Sequence, residues 1–317
     1  MSKVEYAIVV KNKTRLELLI ERFNTKAQAR FYIERSGGNY DDYETEHEVF
    51  HASLNRLLAV LGKTLKYKVV ERIYVPSFLF APNQVIVVIG QDGLVANTAK
   101  YANGVPIVAV NPDKKRYDGI LLPFDVHNFV DAVEKVLTQT HRLKQVTFAE
   151  ARLQDGQRLL AFNDLFIGAA THVSARYRIT YNRQTEEHSS SGLIVSTKAG
   201  FTGWLSSVFN MAKGIGQFLG HEPYQSNTRH EAIPLQTPTL TDEQLLFAVR
   251  EPFKSIKTQT GIVAGIISHE LDLTIESLMP ANGVIFSDGI EADFLKFNSG
   301  AIAKIGIAPE KAALVLP

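Results

Sequence analysis

An α/β domain built on a parallel sheet, followed by a β-rich domain of sandwich-like or barrel-like form, is the fold class that the sequence predicts. Three observations carry it. Short apolar strands in the first half alternate with stretches of helical periodicity, the pattern of parallel strands with helices on their faces. From about Gln145 the runs become strand-like and closely spaced, with one strong helix signal, Thr202–Phe218. The chain has 317 residues, 45% of them apolar and 21% charged, enough volume for one large or two medium cores, and two domains are expected.

Taken in order, Tyr6–Val10 is a short apolar strand followed at once by charged, helix-like sequence. Tyr43–Leu61 has helical periodicity, Tyr67–Arg72 is a second strand, and Val85–Ile89 is a third whose near-continuous apolar run suits burial on both faces. Leu94–Tyr101 then reads as a helix, Pro106–Val110 as a fourth strand and Val126–Leu137 as a further helix. In the second half VTFAEARL, RLLAF, ARYRITYN, GLIVST, LLFAVRE, GIVAGIIS, LDLTIES and GVIFSDG are strand-like, the first two joined by an Asp155-Gly156-Gln157 turn. Leu219–Thr241, rich in Pro, Thr, Gln and His, is expected to be a surface loop. The domains are placed at 1–142 and 143–295, with 296–317 returning to the first.

Composition excludes several functions. The formal charge is +1 with neither sign in a block, so nucleic acid and anionic membranes are not expected partners. There are no cysteines, which rules out disulfides, thiolate nucleophiles and cysteine-ligated zinc. No apolar run reaches the roughly 20 residues that span a bilayer. The start, MSKVEYAIVV, lies almost directly on the first strand and does not read as a leader, so a cytoplasmic protein is expected.

Chemistry-bearing residues gather at strand ends. Val85–Ile89 runs into Gly90-Gln91-Asp92-Gly93, which puts a carboxylate at the carboxyl end of a buried strand, where open α/β sheets gather ligands. Asp92 there suits a magnesium ion or a proton from an attacking hydroxyl, or else a turn and a cap for the next helix. Asn163-Asp164 sets an amide beside a carboxylate, suited to a nucleoside's ring edge and ribose hydroxyls, or to a turn. Residues 189–207, SSSGLIVSTKAGFTGWLSS, carry hydroxyls at Ser196, Thr197, Thr202, Ser206 and Ser207 into a helix start, a polar cradle in which Trp204 can stack on a flat ring; the bland readings are a loop and a core tryptophan. His47-Glu48-Val49-Phe50-His51 matches the zinc-protease pattern, which normally needs a buried helix and a third ligand further on, whereas the residues before it, Asp41–Glu46, are those of a solvated helix start, so a zinc hydrolase is only the third reading. The match is read as chance and no metal ligand is expected.

At these residues the sequence resembles the NAD kinase family, within the wider group that includes diacylglycerol and sphingosine kinases. The matching pieces are Gly90–Gly93, Asn163-Asp164, and Gly192–Thr197 leading to Gly200-Phe201-Thr202-Gly203-Trp204, in the family's order. VVKNKTRLELLIERF, HEVFH, NPDKKRYDGILLPFDV, FNDLFIGAATHVSARYRITY and HSSSGLIVST look like the mitochondrial-type branch and its bacterial relatives, and Asp288-Gly289 resembles the family's closing hairpin.

The resemblance implies a Rossmann-like amino-terminal domain, a β-sandwich-like carboxyl-terminal domain, and transfer of the γ-phosphate of ATP to the 2′-hydroxyl of NAD's adenosine ribose, giving NADP, with Mg²⁺. It makes Asp92 the catalytic residue. It places Gly90, Gln91, Gly93, Asn163, Asp164, Ser191, Lys198, Thr202, Trp204, Ser207 and Asp288 at the nucleotides, and implies a homodimer. Three departures fall on the chemistry: Gln91 replaces a glycine, Asp164 is one methylene shorter than the usual glutamate, and Lys198–Phe201 replaces a small hydroxyl-rich turn, with Lys198 able to supply a phosphate charge. Gln91 is expected to obstruct the phosphate approach. The alternative is a non-catalytic nucleotide-binding or regulatory protein, or a kinase of another hydroxyl substrate, on the same fold.

Overall fold

The structure, a computed structural model, describes residues 3–220 and 239–317. Most of the segment expected to be a loop, Leu219–Thr241, lies outside the described residues. The chain divides into two compact units, Met1–Gln145 with Ala312–Pro317, and Val146–Lys311.

The first unit runs β1 (Tyr6–Lys11), α1 (Arg15–Phe23), α2 (Lys26–Arg35), α3 (Tyr40–Thr64), β2 (Lys66–Glu71), a 3₁₀ turn (Arg72–Ser77), β3 (Gln84–Ile89), α4 (Asp92–Ala99), β4 (Ile107–Asn111), β5 (Phe124–Asp125) and α5 (Phe129–Leu137). Its strands lie in the order β2-β1-β3-β4-β5, all parallel, with Val9 level with both Val69 and Val87 and Ile86 level with Ile107. Burial on both faces explains the unbroken apolar runs of β1, β3 and β4.

Helix α3 is the main cover. Asn39 caps it by accepting the Asp41 amide at 3.0 Å, and Phe50, Leu54, Leu57 and Leu61 form a seam one turn apart against the strands. Each such burial contributes about 1.5–3 kcal/mol. Helix α1 begins with a capping box, in which Thr14 Oγ1 accepts the Glu17 amide and Glu17 Oε2 accepts the Thr14 amide at 2.7 Å. In sequence the α1–α2 stretch is only charged and helix-like; its separate helices rest on the Asn24 turn at φ 65° and the Thr25 cap.

The second unit is two packed sheets, as the alternation predicts. Strands β6 (Leu143–Leu153), β7 (Arg158–Ala161), β8 (Asp164–Ala169), β9 (Ala175–Tyr181), β10 (Gln184–Ser190) and β11 (Leu193–Ser196) precede α6 (Trp204–Phe218). Then follow β12 (Leu245–Val249), β13 (Ala264–Ile267), β14 (Leu273–Ser277), β15 (Gly283–Ser287), β16 (Ile290–Lys296) and β17 (Ile302–Val315). One sheet has the order β13-β12-β11-β8-β15-β16 and is antiparallel throughout; the other joins β10, β9, β14 and the first part of β17, also antiparallel. Ile167, Val195, Phe247 and Ile285 from the first sheet and Tyr177, Ile179, Leu273 and Ile275 from the second fill a single apolar core. The end of β17 belongs to the first unit, where Leu314 is level with Ile107. Asp288 and Gly289, at φ 53° and 69°, make the tight hairpin between β15 and β16.

Candidate functional site

In the first unit the carboxyl end of β3 delivers the chain into α4 through Gly90 and Gln91. Gln91 is the N-cap, at φ −107° and ψ 164°, and its side chain makes no capping bond. The second glycine of the resemblance would therefore gain nothing from positive φ at this position. Nor does Asp92 cap the helix: it lies in the first turn, half-buried, and its Oδ1 accepts the backbone N–H of Leu121 at 2.7 Å. Gln91 itself is exposed.

The loop after β4 thus organises the carboxylate, a role that the sequence reading did not give it. Asn111 stitches that loop from inside, its Nδ2 donating to the Tyr117 carbonyl at 3.0 Å and its Oδ1 accepting the Asp113 amide at 2.9 Å. Gly119, at φ 66°, passes so close to Asn111 that a Cβ would lie 2.6 Å from Nδ2. From outside, Arg116 is paired with Asp42 of α3 at 2.6 Å, and Arg15 of α1 holds the other Asp42 oxygen at 2.8 Å and pairs with Glu46. The two guanidinium groups, Arg116 first, hold the Asp42 carboxyl down at about 2. In the sequence this loop is NPDKKRYDGILLPFDV. Its Asn-Pro-Asp start and Asp-Gly pair are turn signals, and they were the available hint of a built loop.

In the second unit the Asn163-Asp164 turn is clamped by Asp288. Its carboxylate accepts the backbone N–H groups of Phe162, Asn163 and Asp164 at 3.1, 2.6 and 3.2 Å, and its own amide donates to the Asp164 carbonyl at 2.9 Å. These bonds give Asp288, expected at the nucleotides, a positioning role. The segment after β11 packs on the same turn: Thr197 donates its amide to the Asn163 carbonyl at 2.9 Å and its hydroxyl to the Phe162 carbonyl at 2.6 Å. Gly200 then crosses so closely that a Cβ would lie 2.3 Å from the Asn163 carbonyl oxygen. Asp164 is the unusual group. Its Oδ1 is buried without a hydrogen-bond partner. Burial first, then the Asp288 charge, push its carboxyl up to about 7 against the opposing Ser196 hydroxyl.

Ser191 and Trp204 line one cavity of about 690 Å³ with Phe166, His172, Arg250 and Phe286. Trp204 stacks on Phe166, 5.6 Å between ring centres and 13° from parallel, and Arg250 lies 5.2 Å from the Trp204 ring centre. The tryptophan expected to stack on a ligand ring therefore already stacks on a protein ring. Arg250 and Phe166 had no sequence signal beyond their strands. Thr202 and Ser207 are exposed at the start of α6, whose N-cap, Gly203, makes no side-chain capping bond. Lys198, proposed as a phosphate charge, pairs with Asp242 at 3.1 Å, an exposed bridge worth at most about 1 kcal/mol and so readily exchanged. Phe201, the other departure, packs with Leu205, Leu240 and Leu246.

No family model matches the sequence, and no characterised protein is similar to it by sequence alone. Solved structures are similar in fold. Yeast NADH kinase, determined with NADH, superposes with a TM-score of 0.60 at 13% identity, over 100% of this chain and 84% of that one. The NAD kinase of Archaeoglobus fulgidus, determined with ATP, gives 0.55 at 14% identity, over 98% and 93%. The two-part fold is that of NAD kinases. Among the described residues no helix is long and apolar enough to cross a membrane.

Proposed function

We propose that this chain is an NAD kinase-like phosphotransferase, moving the γ-phosphate of ATP to the 2′-hydroxyl of the adenosine ribose of NAD or NADH. The observation that carries the reading is the buried, unpartnered oxygen of Asp164 in a turn that Asp288 holds rigid. A buried carboxylate oxygen without a protein partner calls for water, an ion or a ligand to complete it, and a ribose hydroxyl is a donor of the right kind. The likeness of fold to kinases of NAD and NADH supports the same ligand class.

In this reading Asn163 and Asp164 hold the adenosine, while Ser191, Thr202, Trp204 and Ser207 bound the nucleotide. Asp92 accepts the proton of the attacking hydroxyl, with its Oδ1 kept in place by the Leu121 amide. Gly90 and Gly93 keep the turn around it low, and Gln91 borders the phosphate approach. Lys198 exchanges Asp242 for a phosphate oxygen. A lone carboxylate such as Asp92 suits Mg²⁺ carried on ATP, an ion that keeps most of its waters and supplies charge neutralisation. Positioning accounts for most of the rate in phosphoryl transfer, and the clamped turns supply it. We place the protein in the cytoplasm and expect a homodimer, and we assign it to the mitochondrial-type branch on its motifs.

A second reading, nucleotide binding without transfer, is favoured by two departures, the exposed Gln91 before Asp92 and Phe201, which the fold has absorbed into an apolar cluster. Incubating pure protein with NAD or NADH, Mg²⁺ and either ATP or polyphosphate separates them. NADP or NADPH formation is expected. Calorimetric binding of NAD without product moves the assignment to the second reading, and absence of both overturns each.

A further inference from the structure

We propose that Glu17, His47 and His51 form a binding site for a first-row divalent cation of the Zn²⁺ class, clamping α1 to α3 in the first unit. His47 and His51 are one helical turn apart, so both rings leave the same face of α3, with centroids 4.3 Å apart. Glu17 comes from the first turn of α1, its Oε1 3.2 Å from His51 Nε2. One ligand atom from each of the three lies within 4.8 Å of the others. Bonds of about 2.0–2.2 Å in a tetrahedral site need donors roughly 3.3 Å apart, which modest rotations of half-buried side chains supply.

The surroundings favour a cation over a plain ion pair. Glu17 is oriented before any ligand arrives, because its other oxygen is held by the Thr14 amide in the capping box. Thr14 Oγ1 lies 2.9 Å from His47 Nδ1, a hydroxyl placed to set that ring's tautomer as outer partners of ligating histidines do. The nearby ammonium groups have other carboxylates: Lys11 pairs with Glu71 at 3.2 Å and Lys26 with Glu44 at 2.6 Å. Two imidazoles and one carboxylate select zinc-like ions over Mg²⁺ or Ca²⁺, which prefer oxygen-rich shells. The carboxylate is Glu17, some thirty residues before the histidine pair, whereas Glu48, the motif's base, is exposed and outside the cluster. The arrangement is therefore a clamp and not a protease centre. It sits directly after Glu46 and near Asp42, the residues that hold Arg15 and Arg116.

The test uses the untagged full chain stripped with a chelator. Zn²⁺ is titrated against a chromophoric indicator, and Co²⁺ is followed by its visible spectrum. The wild type is expected to bind one equivalent, with the intense Co²⁺ bands of four- or five-coordination, and Mg²⁺ is expected not to compete. Glu17→Gln, which preserves the capping box, and His51→Ala are each expected to weaken Zn²⁺ binding at least about tenfold. The exposed-site control His269→Ala is expected to leave it unchanged. Undiminished Zn²⁺ binding in a folded Glu17→Gln/His51→Ala variant, checked by circular dichroism, overturns the site. So does a wild-type Co²⁺ spectrum that stays that of the hydrated ion, a result that needs no variant.

Discussion

Replacing Asp288 by alanine removes the single group that accepts the N–H of Phe162, Asn163 and Asp164. Hydrogen bonds to a charged acceptor contribute about 1.5–3 kcal/mol each, but these three share two oxygens and do not add fully, so a loss of about 3–5 kcal/mol is expected. Alanine at φ 53° adds about 1 kcal/mol of backbone strain, which relief of the repulsion between Asp288 and Asp164 offsets in part. Asparagine tolerates that φ and keeps one acceptor oxygen, so Asp288→Asn is expected to cost only about 1–2 kcal/mol. The assay is urea unfolding followed by tryptophan fluorescence. Trp204 is the sole tryptophan and lies in the second unit against Phe166, so the signal reports the unit that carries the clamp. A loss below about 1 kcal/mol for alanine, or equal losses for the two variants, would refute the clamp.

Asp164 binds its proton more tightly folded than unfolded between its ordinary value and about 7. Stability of the second unit should therefore fall as pH rises from about 4 to about 7 and level off above, and Asp164→Asn should flatten that fall in denaturation curves taken across the range. Asp92→Asn keeps an oxygen for the Leu121 amide, so NADP formation should drop about 10²–10⁴-fold with little change in melting temperature. Gly200→Ala forces a methyl against the Asn163 carbonyl and should cost about 1–3 kcal/mol in the same urea assay, with weaker NAD binding by calorimetry. Gln91→Gly removes an exposed side chain beside Asp92, so a higher rate of NADP formation is expected, whereas a lower rate would place Gln91 among the catalytic residues.

What the sequence determined by itself is what repeats locally. The unbroken apolar run of β3 and the seam Phe50, Leu54, Leu57, Leu61 are periodic, so strand, helix and parallel layering could be read without coordinates. The Asp-Gly pair at 288–289 announced its turn, and the strand-turn-helix around Asp92 announced a carboxylate at a strand end. Strand β10 escaped because Gln184–Ser190 is largely polar; Asn182 and Arg183 at positive φ turn it back onto β9, and backbone pairing takes the place of an apolar face. Tertiary structure alone decided which partner each chemical group received. Asp288 reaches amides 124 to 126 residues away, Asp92 takes an amide from the loop after β4, and Glu17 meets His47 and His51 across two helices. None of these pairings has a period, because a hydrogen bond depends on distance in space, and distance between remote segments is set only once the cores between them have packed.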